Sequence, residues 1–204
     1  MERENMPLPT KIIDKRTYKY FVACDDATRG GAKKHPLPLR DSEQRFQRIL
    51  RKTEYRWNTR KKDPVHLVLA ILAKIRYAML YHFYNVQIPL NVFGPGLIIW
   101  HLQGITVNYG AHVGRNFSIS KGCTIGHRNW VVPTIGDNCE MCINSSILGE
   151  GIQAQGVVIG AHALVIKPIT QSNSIWAGVP AVKIHDGISD AYQDRFDRVG
   201  KIKF

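Results

Sequence analysis

VGRNFSISKGCTIG (residues 113–126), IGDNCEMCINSSILG (135–149) and VIGAHALVI (158–166) share one spacing. Stepping by six from Val107 meets Val113, Ile119 and Ile125. Four extra residues intervene, and the same step from Ile135 meets Met141, Ile147, Gln153, Ile159 and Val165. All of these except Gln153 are aliphatic or methionine. Glycine follows directly at 114, 126, 136 and 160. Four positions after each start the residue is mostly small or apolar: Ala111, Cys123, Cys139, Ser145, Gly151, Val157, Ala163.

A helix repeats near 3.6 residues and a strand at two; a period of six is neither. It is three two-residue alternations closed by a turn. Three such units make one triangular coil with its aliphatic residues stacked inward. Each coil buries its core only by stacking on its neighbours, as solenoids do. The small inward positions explain Cys123 and Cys139 as packing residues, and Cys142 as the residue after Met141. A lone C-x-x-C (139–142) is otherwise a weak metal signal.

These three segments, extended by WAGVPAVKI (176–184), resemble the hexapeptide-repeat acyltransferases over about residues 85–184. The resemblance implies a mainly β fold, a left-handed parallel β-helix of hexapeptide repeats preceded by an α-helical N-terminal region. The left hand comes from the family, because it departs from the usual crossover rule. Three blocks are expected: a basic, mainly helical region over 1–86, the β-helix over 87–184, and a helical tail over 185–204. Within the family, FGPGLIIWHLQGITVNYGAHVG (93–114) is similar to serine acetyltransferases and to a related group of polysaccharide O-acetyltransferases.

His101 lies in an otherwise apolar run, and the residues alone leave it either a hydrogen-bonded core histidine or a base. The resemblance implies the base, in the H-x-x-G that opens this segment, acting on a hydroxyl with acetyl-CoA as donor. Removing the hydroxyl proton as the C–O bond forms contributes about 10²–10⁴-fold, and a pKa near 6.5 suits histidine to this. Ile98, Ile99 and Trp100 are expected to keep water out. Trp100, Asn108, Tyr109 and His127 are the candidate acceptor contacts. By the same resemblance Gly126, Ile143 and Ala161 line the CoA groove, and Lys167 and Lys183 meet its phosphates as point charges. No metal is expected: His101, His112 and His127 lack the H-x₄-H pair associated with β-helical carbonic anhydrases.

The chain departs from serine acetyltransferases at three aligned positions. Trp100 stands directly before His101 and Gln87 stands further upstream, each where those enzymes carry aspartate. Val132 aligns with a histidine near their amino-acid substrate. The first reading of the acceptor is therefore a sugar hydroxyl, free or lipid-linked, in surface polysaccharide synthesis. Serine O-acetylation is the alternative, and a silent scaffold the second. A homotrimer with sites at subunit boundaries is implied by the family.

The chain of 204 residues carries a formal charge of +12, unevenly placed. Residues 1–86 hold 19 Lys and Arg against 9 Asp and Glu, a net +10; residues 87–204 hold 9 against 7, a net +2. A helix is expected over about 42–59, capped by Ser42, with Glu43 in its first turn. It gathers Arg45, Arg48, Arg51, Lys52 and Arg56. A second helix over about 65–84 places Leu69, Leu72, Ile75, Met79 and Phe83 on one face, expected to pack on its own protein. Residues 1–41 read as irregular or short helices.

The basic cluster could meet nucleic acid or anionic lipid. No nucleic-acid-binding motif accompanies it, so peripheral contact with an anionic membrane is the expectation. No window offers the roughly 18 apolar residues of a membrane span, and MERENMPLPT (1–10) lacks a signal-peptide layout. A cytoplasmic location, peripheral at the inner membrane face, is the corresponding expectation. Four cysteines at this length do not read as a disulfide framework.

Overall fold

The computed structural model describes residues 8–37, 40–188 and 190–204; residues 1–7 of the segment read for a signal lie outside them. Three helices come first: α1 (Lys15–Arg29), α2 (Ser42–Asn58) and α3 (Pro64–Phe83). Eleven short strands then wind the coils, from β1 (Ile98–Ile99) and β2 (Thr106–Val107) to β10 (Val157–Ile159) and β11 (Leu164–Val165). A hairpin, β12 (Ser174–Ala177) and β13 (Val182–Asp186), closes the stack, and α4 (Asp190–Gly200) follows.

The strands form three faces. One sheet has the order β1-β4-β7-β10-β12-β13, with β4 at Ser118–Ile119 and β7 at Glu140–Met141. The second runs β2-β5-β8-β11, with β5 at Thr124–Gly126 and β8 at Ser146–Leu148. The third runs β3-β6-β9, at His112–Val113, Thr134–Ile135 and Gly151–Ile152. All pairings are parallel except β12 with β13. Like residues stack on like: Ile99 on Ile119, Ile119 on Met141, Met141 on Ile159. The hexapeptide phase therefore gives the inward positions, all buried, with one exception.

That exception is Gln153. Ile152, not Gln153, pairs with Ile135 and turns inward, and Gln153 is exposed. The coil there is one residue short after Ile147 and one long before Ile159. The stack thus meets its need for an aliphatic residue by a local slip rather than burying an amide. The four inserted residues form a protruding hairpin in which Arg128 and Val131 exchange backbone hydrogen bonds of 3.0 Å.

The first coil begins before the clear repeat, with Gln87 bridging Thr106 and Phe93 bridging Val113. Its outer side has no further coil to pair with, so the helices cover it. Asp25 Oδ1 accepts the N–H groups of Gly96 and Leu97, each at 2.9 Å. Arg51 donates to the carbonyls of Phe93 (2.9 Å) and Gly94 (2.6 Å), and Gln47 to that of Leu97. Thr28 donates to Gly96 and Arg29 to Ile99. An exposed sheet edge is a pairing liability; here buried side chains satisfy it.

Several expectations for the helices need correction. Residues 15–29 form a full helix, with a reciprocal cap between Asp14 and Thr17. The N-cap of α2 is Asp41, and Ser42 instead donates to Glu43. Arg51 is not a surface charge. It is 0% exposed and paired with Asp25 and Glu54. Arg48 pairs with Asp26 at 2.6 Å. Two of the five clustered cations are thus neutralised within the chain.

The second helix differs most. Its buried side is Ala70 and Tyr77, while Leu72, Ile75, Met79 and Phe83 are exposed. Apolar residues lie on both sides, which makes α3 long and apolar enough to cross a membrane by length and composition. This corrects the expectation that no such window exists. Asp63 caps it by accepting the His66 N–H at 2.8 Å, and Pro64 opens it. At the other end α4 packs Val199 against Ile12, Tyr20, Phe21 and Cys24.

Candidate active site

Two corners of the coil border the β2-β5-β8-β11 sheet. Turns 100–105, 120–123, 142–145 and 160–163 make the first, leading from the β1 sheet into this one. His101 lies there, and Ile143 and Ala161 lie on the same corner further along. Turns 108–111 and 127–133 and the residues after β11 make the second corner, which carries Asn108, Tyr109, His127 and Lys167.

His101 is held through its backbone neighbours. Ile98 N–H donates to Phe117 O at 2.9 Å and Trp100 N–H to Ile119 O at 3.0 Å. Trp100 Nε1 donates to Ser118 Oγ at 2.9 Å, pinning the indole along the coil. Behind them Ile98 and Ile99 are fully buried. His101 itself is exposed, and Trp100 is 43% exposed. The expectation of a dry wall around His101 is therefore not met by one chain: Ile99 points into the coil and stacks on Ile119, and Ile98 faces the opposite side of the strand beside Ser118. Among the described residues no side chain hydrogen-bonds the His101 ring, so no orienting group is built in.

The first corner continues as a backbone ladder. Gly122 N–H donates to Gln103 O, Asn144 N–H to Lys121 O and His162 N–H to Ile143 O, at 2.9–3.0 Å. Gly122 has φ +71°, and a Cβ there would meet Asn144 Oδ1. A side chain at 122 would break the close approach of the turns beside His101. Lys121 is exposed one coil along, twenty residues on from His101.

The second corner has its own polar group. Asn108 Nδ2 lies 3.2 Å from His127 Nδ1, and Asn108 Oδ1 accepts the Gly110 N–H at 2.9 Å. The His127 ring stacks on Trp130, centroids 5.8 Å apart at 15°. Asn129 and Trp130 both have positive φ, as a two-residue type I′ hairpin requires. Gly is the usual second residue of that turn, so tryptophan there marks a local departure. Its ring projects into solvent beside His127. The four-residue insertion was the sequence signal for Trp130. Arg128 Nη1 donates to Ile166 O at 2.9 Å, tying the loop to the last coil.

The chain thus brings Asn108 and His127 together and sets His101 across the sheet from them. Tyr109 projects into solvent near α3 and shares a cleft with Tyr81, His82 and Asn91. Gly126 ends β5 and pairs with Leu148. Lys167 is exposed. Lys183, expected on a CoA phosphate, donates to Asp186 at 2.9 Å. That bond helps hold the Asp186 carboxyl below the usual range. Among the described residues no three His, Cys, Asp or Glu side chains converge to hold a metal.

No family model matches the chain. The serine acetyltransferase of Mycobacterium tuberculosis is 32% identical over 96 residues, 45% of this chain and 42% of that protein. That of Bacillus pumilus is 25% identical over 145 residues, covering 63% and 66%. Among solved structures, a serine acetyltransferase from Vibrio cholerae superposes with TM-score 0.66 at 19% identity, covering 90% of this chain and 72% of that one. The fold is that of the serine acetyltransferase-like hexapeptide-repeat acyltransferases. The stacked coil is accordingly the left-handed β-helix. A further structure sharing this fold, at TM-score 0.61, is a serine acetyltransferase complex with CoA. The chain spans less than two thirds of the length of these curated relatives.

Proposed function

We propose that the chain is an acetyl-CoA-dependent O-acetyltransferase, with His101 as general base and serine as acceptor. The names of the relatives support serine over the sugar hydroxyl expected from the sequence. The observation that carries the chemistry is His101 on the same corner as Ile143 and Ala161, where a CoA arm could lie along the coils. The imidazole takes the hydroxyl proton as oxygen attacks the thioester carbonyl. The tetrahedral intermediate collapses to the acetyl ester, the C–S bond breaks, and the thiolate takes back a proton.

A homotrimer belongs to this proposal. His101 and the Asn108–His127 pair occupy opposite corners of one sheet. Threefold packing would set one chain's first corner against the second corner of its neighbour. It would also supply the water-excluding wall that the exposed His101 lacks.

One observation favours the sugar reading. Trp100, tied to Ser118, occupies the position where the resemblance expects an aspartate. An indole carries no negative charge to form an ion pair with a serine ammonium, and its face can stack on a sugar ring. The test is release of free CoA thiol from acetyl-CoA with serine and, separately, with a panel of sugars and nucleotide sugars. Turnover with serine that is lost in His101→Ala is the expected result. Turnover with a sugar alone would move the acceptor, and turnover with neither would overturn the proposal.

A further inference from the structure

We infer that α3 lies in the plane of an anionic bilayer, with its outward face in the acyl region and a neighbouring basic groove on the lipid phosphates. This rests on the exposure of the helix and not on the acetyltransferase reading.

The helix has two apolar faces. Ala70 and Tyr77 are buried, and the Tyr77 hydroxyl donates to Ile88 O at 2.6 Å, locking that face to the first coil. Val68, Leu72, Ile75 and Met79 recur every three or four residues on the opposite face. Each is more than half exposed, Met79 at 68%, and Phe83 continues the stripe at 78%. A helix apolar all round needs cover on both sides. The protein supplies one.

Charge identifies the other cover. Between α2 and α3 runs a groove lined by Lys52, Arg56 and Arg76 together with Leu69 and Leu72. No ion pair engages these three cations among the described residues, in contrast to Arg48 and Arg51 of the same α2. Lys61 and Lys62 lie exposed just before the helix. An apolar stripe bordered by cations fits an interface of acyl chains and anionic headgroups.

A second copy fits less well. In a two-fold contact the same patch meets itself, which would bring each set of cations toward its duplicate. A transbilayer path fails as well, because the Tyr77 face is already packed on protein.

The test is sedimentation of the full chain with vesicles of phosphatidylcholine alone and of phosphatidylcholine with 30 mol% phosphatidylglycerol, a composition of the order that gives cytoplasmic leaflets their surface potential. Binding to the anionic vesicles, weak on the neutral ones and falling steeply with salt, is expected. Lys52→Gln, Arg56→Gln and Arg76→Gln together should weaken it by roughly 100-fold, about five-fold per cation. Ile75→Glu with Met79→Glu should abolish it at low salt. Both residues are exposed, so the far-ultraviolet spectrum and thermal midpoint of this variant should match the parent. No binding at low ionic strength overturns the inference, as does binding unchanged in either variant. Concentration-dependent doubling of mass that Met79→Glu abolishes, without vesicle binding, would assign the face to a second copy.

Discussion

Arg51 of α2 and Asp25 of α1 form a buried bidentate pair, Nε to Oδ2 at 2.8 Å and Nη2 to Oδ1 at 3.2 Å. Both then reach the same edge of the first coil, Asp25 through the Gly96 and Leu97 N–H groups and Arg51 through the Phe93 and Gly94 carbonyls. Burial disfavours the Arg51 charge, but Asp25 and Glu54 outweigh it and hold its pKa above the ordinary range. The pair therefore fastens two helices to the strand that leads to His101.

Breaking one side of such a pair leaves an uncompensated buried charge, at a cost of about 3–5 kcal/mol. Asp25→Ala should lose stability of this order in urea denaturation. Asp25→Asn keeps a carbonyl oxygen toward Gly96 and Leu97 and should lose less. Equal losses would mean that the backbone acceptor role contributes nothing. Asp25→Asn should also slow turnover, because β1 positions the His101 backbone.

The two histidines should separate kinetically. His101→Ala is expected to lower kcat by about 10²–10⁴-fold and to leave acetyl-CoA affinity nearly unchanged. His127→Ala should act mainly on the acceptor KM, since His127 is already engaged by Asn108 and Trp130. Steady-state kinetics in both substrates distinguishes them. A kcat retained in His101→Ala and lost in His127→Ala would transfer the base to the second corner.

The hexapeptide phase was legible because every inward residue faces the same demand, an aliphatic side chain stacked on the one below. The helices were less so. The Asp14–Thr17 cap of α1 lies in a polar stretch without apolar periodicity, and its value appears only when Asp25, Thr28 and Arg29 meet the first coil. Arg51 reads as one more surface cation, because its partner Asp25 lies 26 residues away in sequence. The outward face of α3 reads as core because periodicity gives the width of an apolar stripe, not what covers it. At the site, the sequence points to His101 and His127 singly. It does not give the Asn108–His127 contact, nor the sheet that separates the two corners, both of which follow from how coils stack.

The cysteines give a pH-dependent test. Burial pushes the Cys139 thiol up to about 12, and the Cys24 and Cys142 thiols to about 11. The thiolate is the reactive form, so the native chain should resist thiol reagents at pH 8. All four cysteines should react after unfolding. A folded pKa above the unfolded one gives stability that is whole below the unfolded value, near 8.5, and is lost as pH rises through the folded value. Thermal midpoints should therefore fall between about pH 9 and 12, less so in Cys139→Ala. Rapid labelling of Cys139 in the native chain at pH 8 would contradict its packing role.

The slip at Ile152 allows a test of the coil register itself. If Ile152 is the inward residue of its turn, Ile152→Ala opens a cavity between Ile135 and Ile169, both of which pair with it. Large-to-small changes of this kind cost about 2–5 kcal/mol. Gln153 is exposed, and surface changes usually stay within about 0.5 kcal/mol, so Gln153→Ala should leave stability near the parent. A strict six-residue phase would give the opposite ranking, because residue 153 would then be the one inside. Urea denaturation of the two variants side by side decides the register without reference to activity. A larger loss for Gln153→Ala would remove the slip and, with it, the one-residue shortening between β8 and β9.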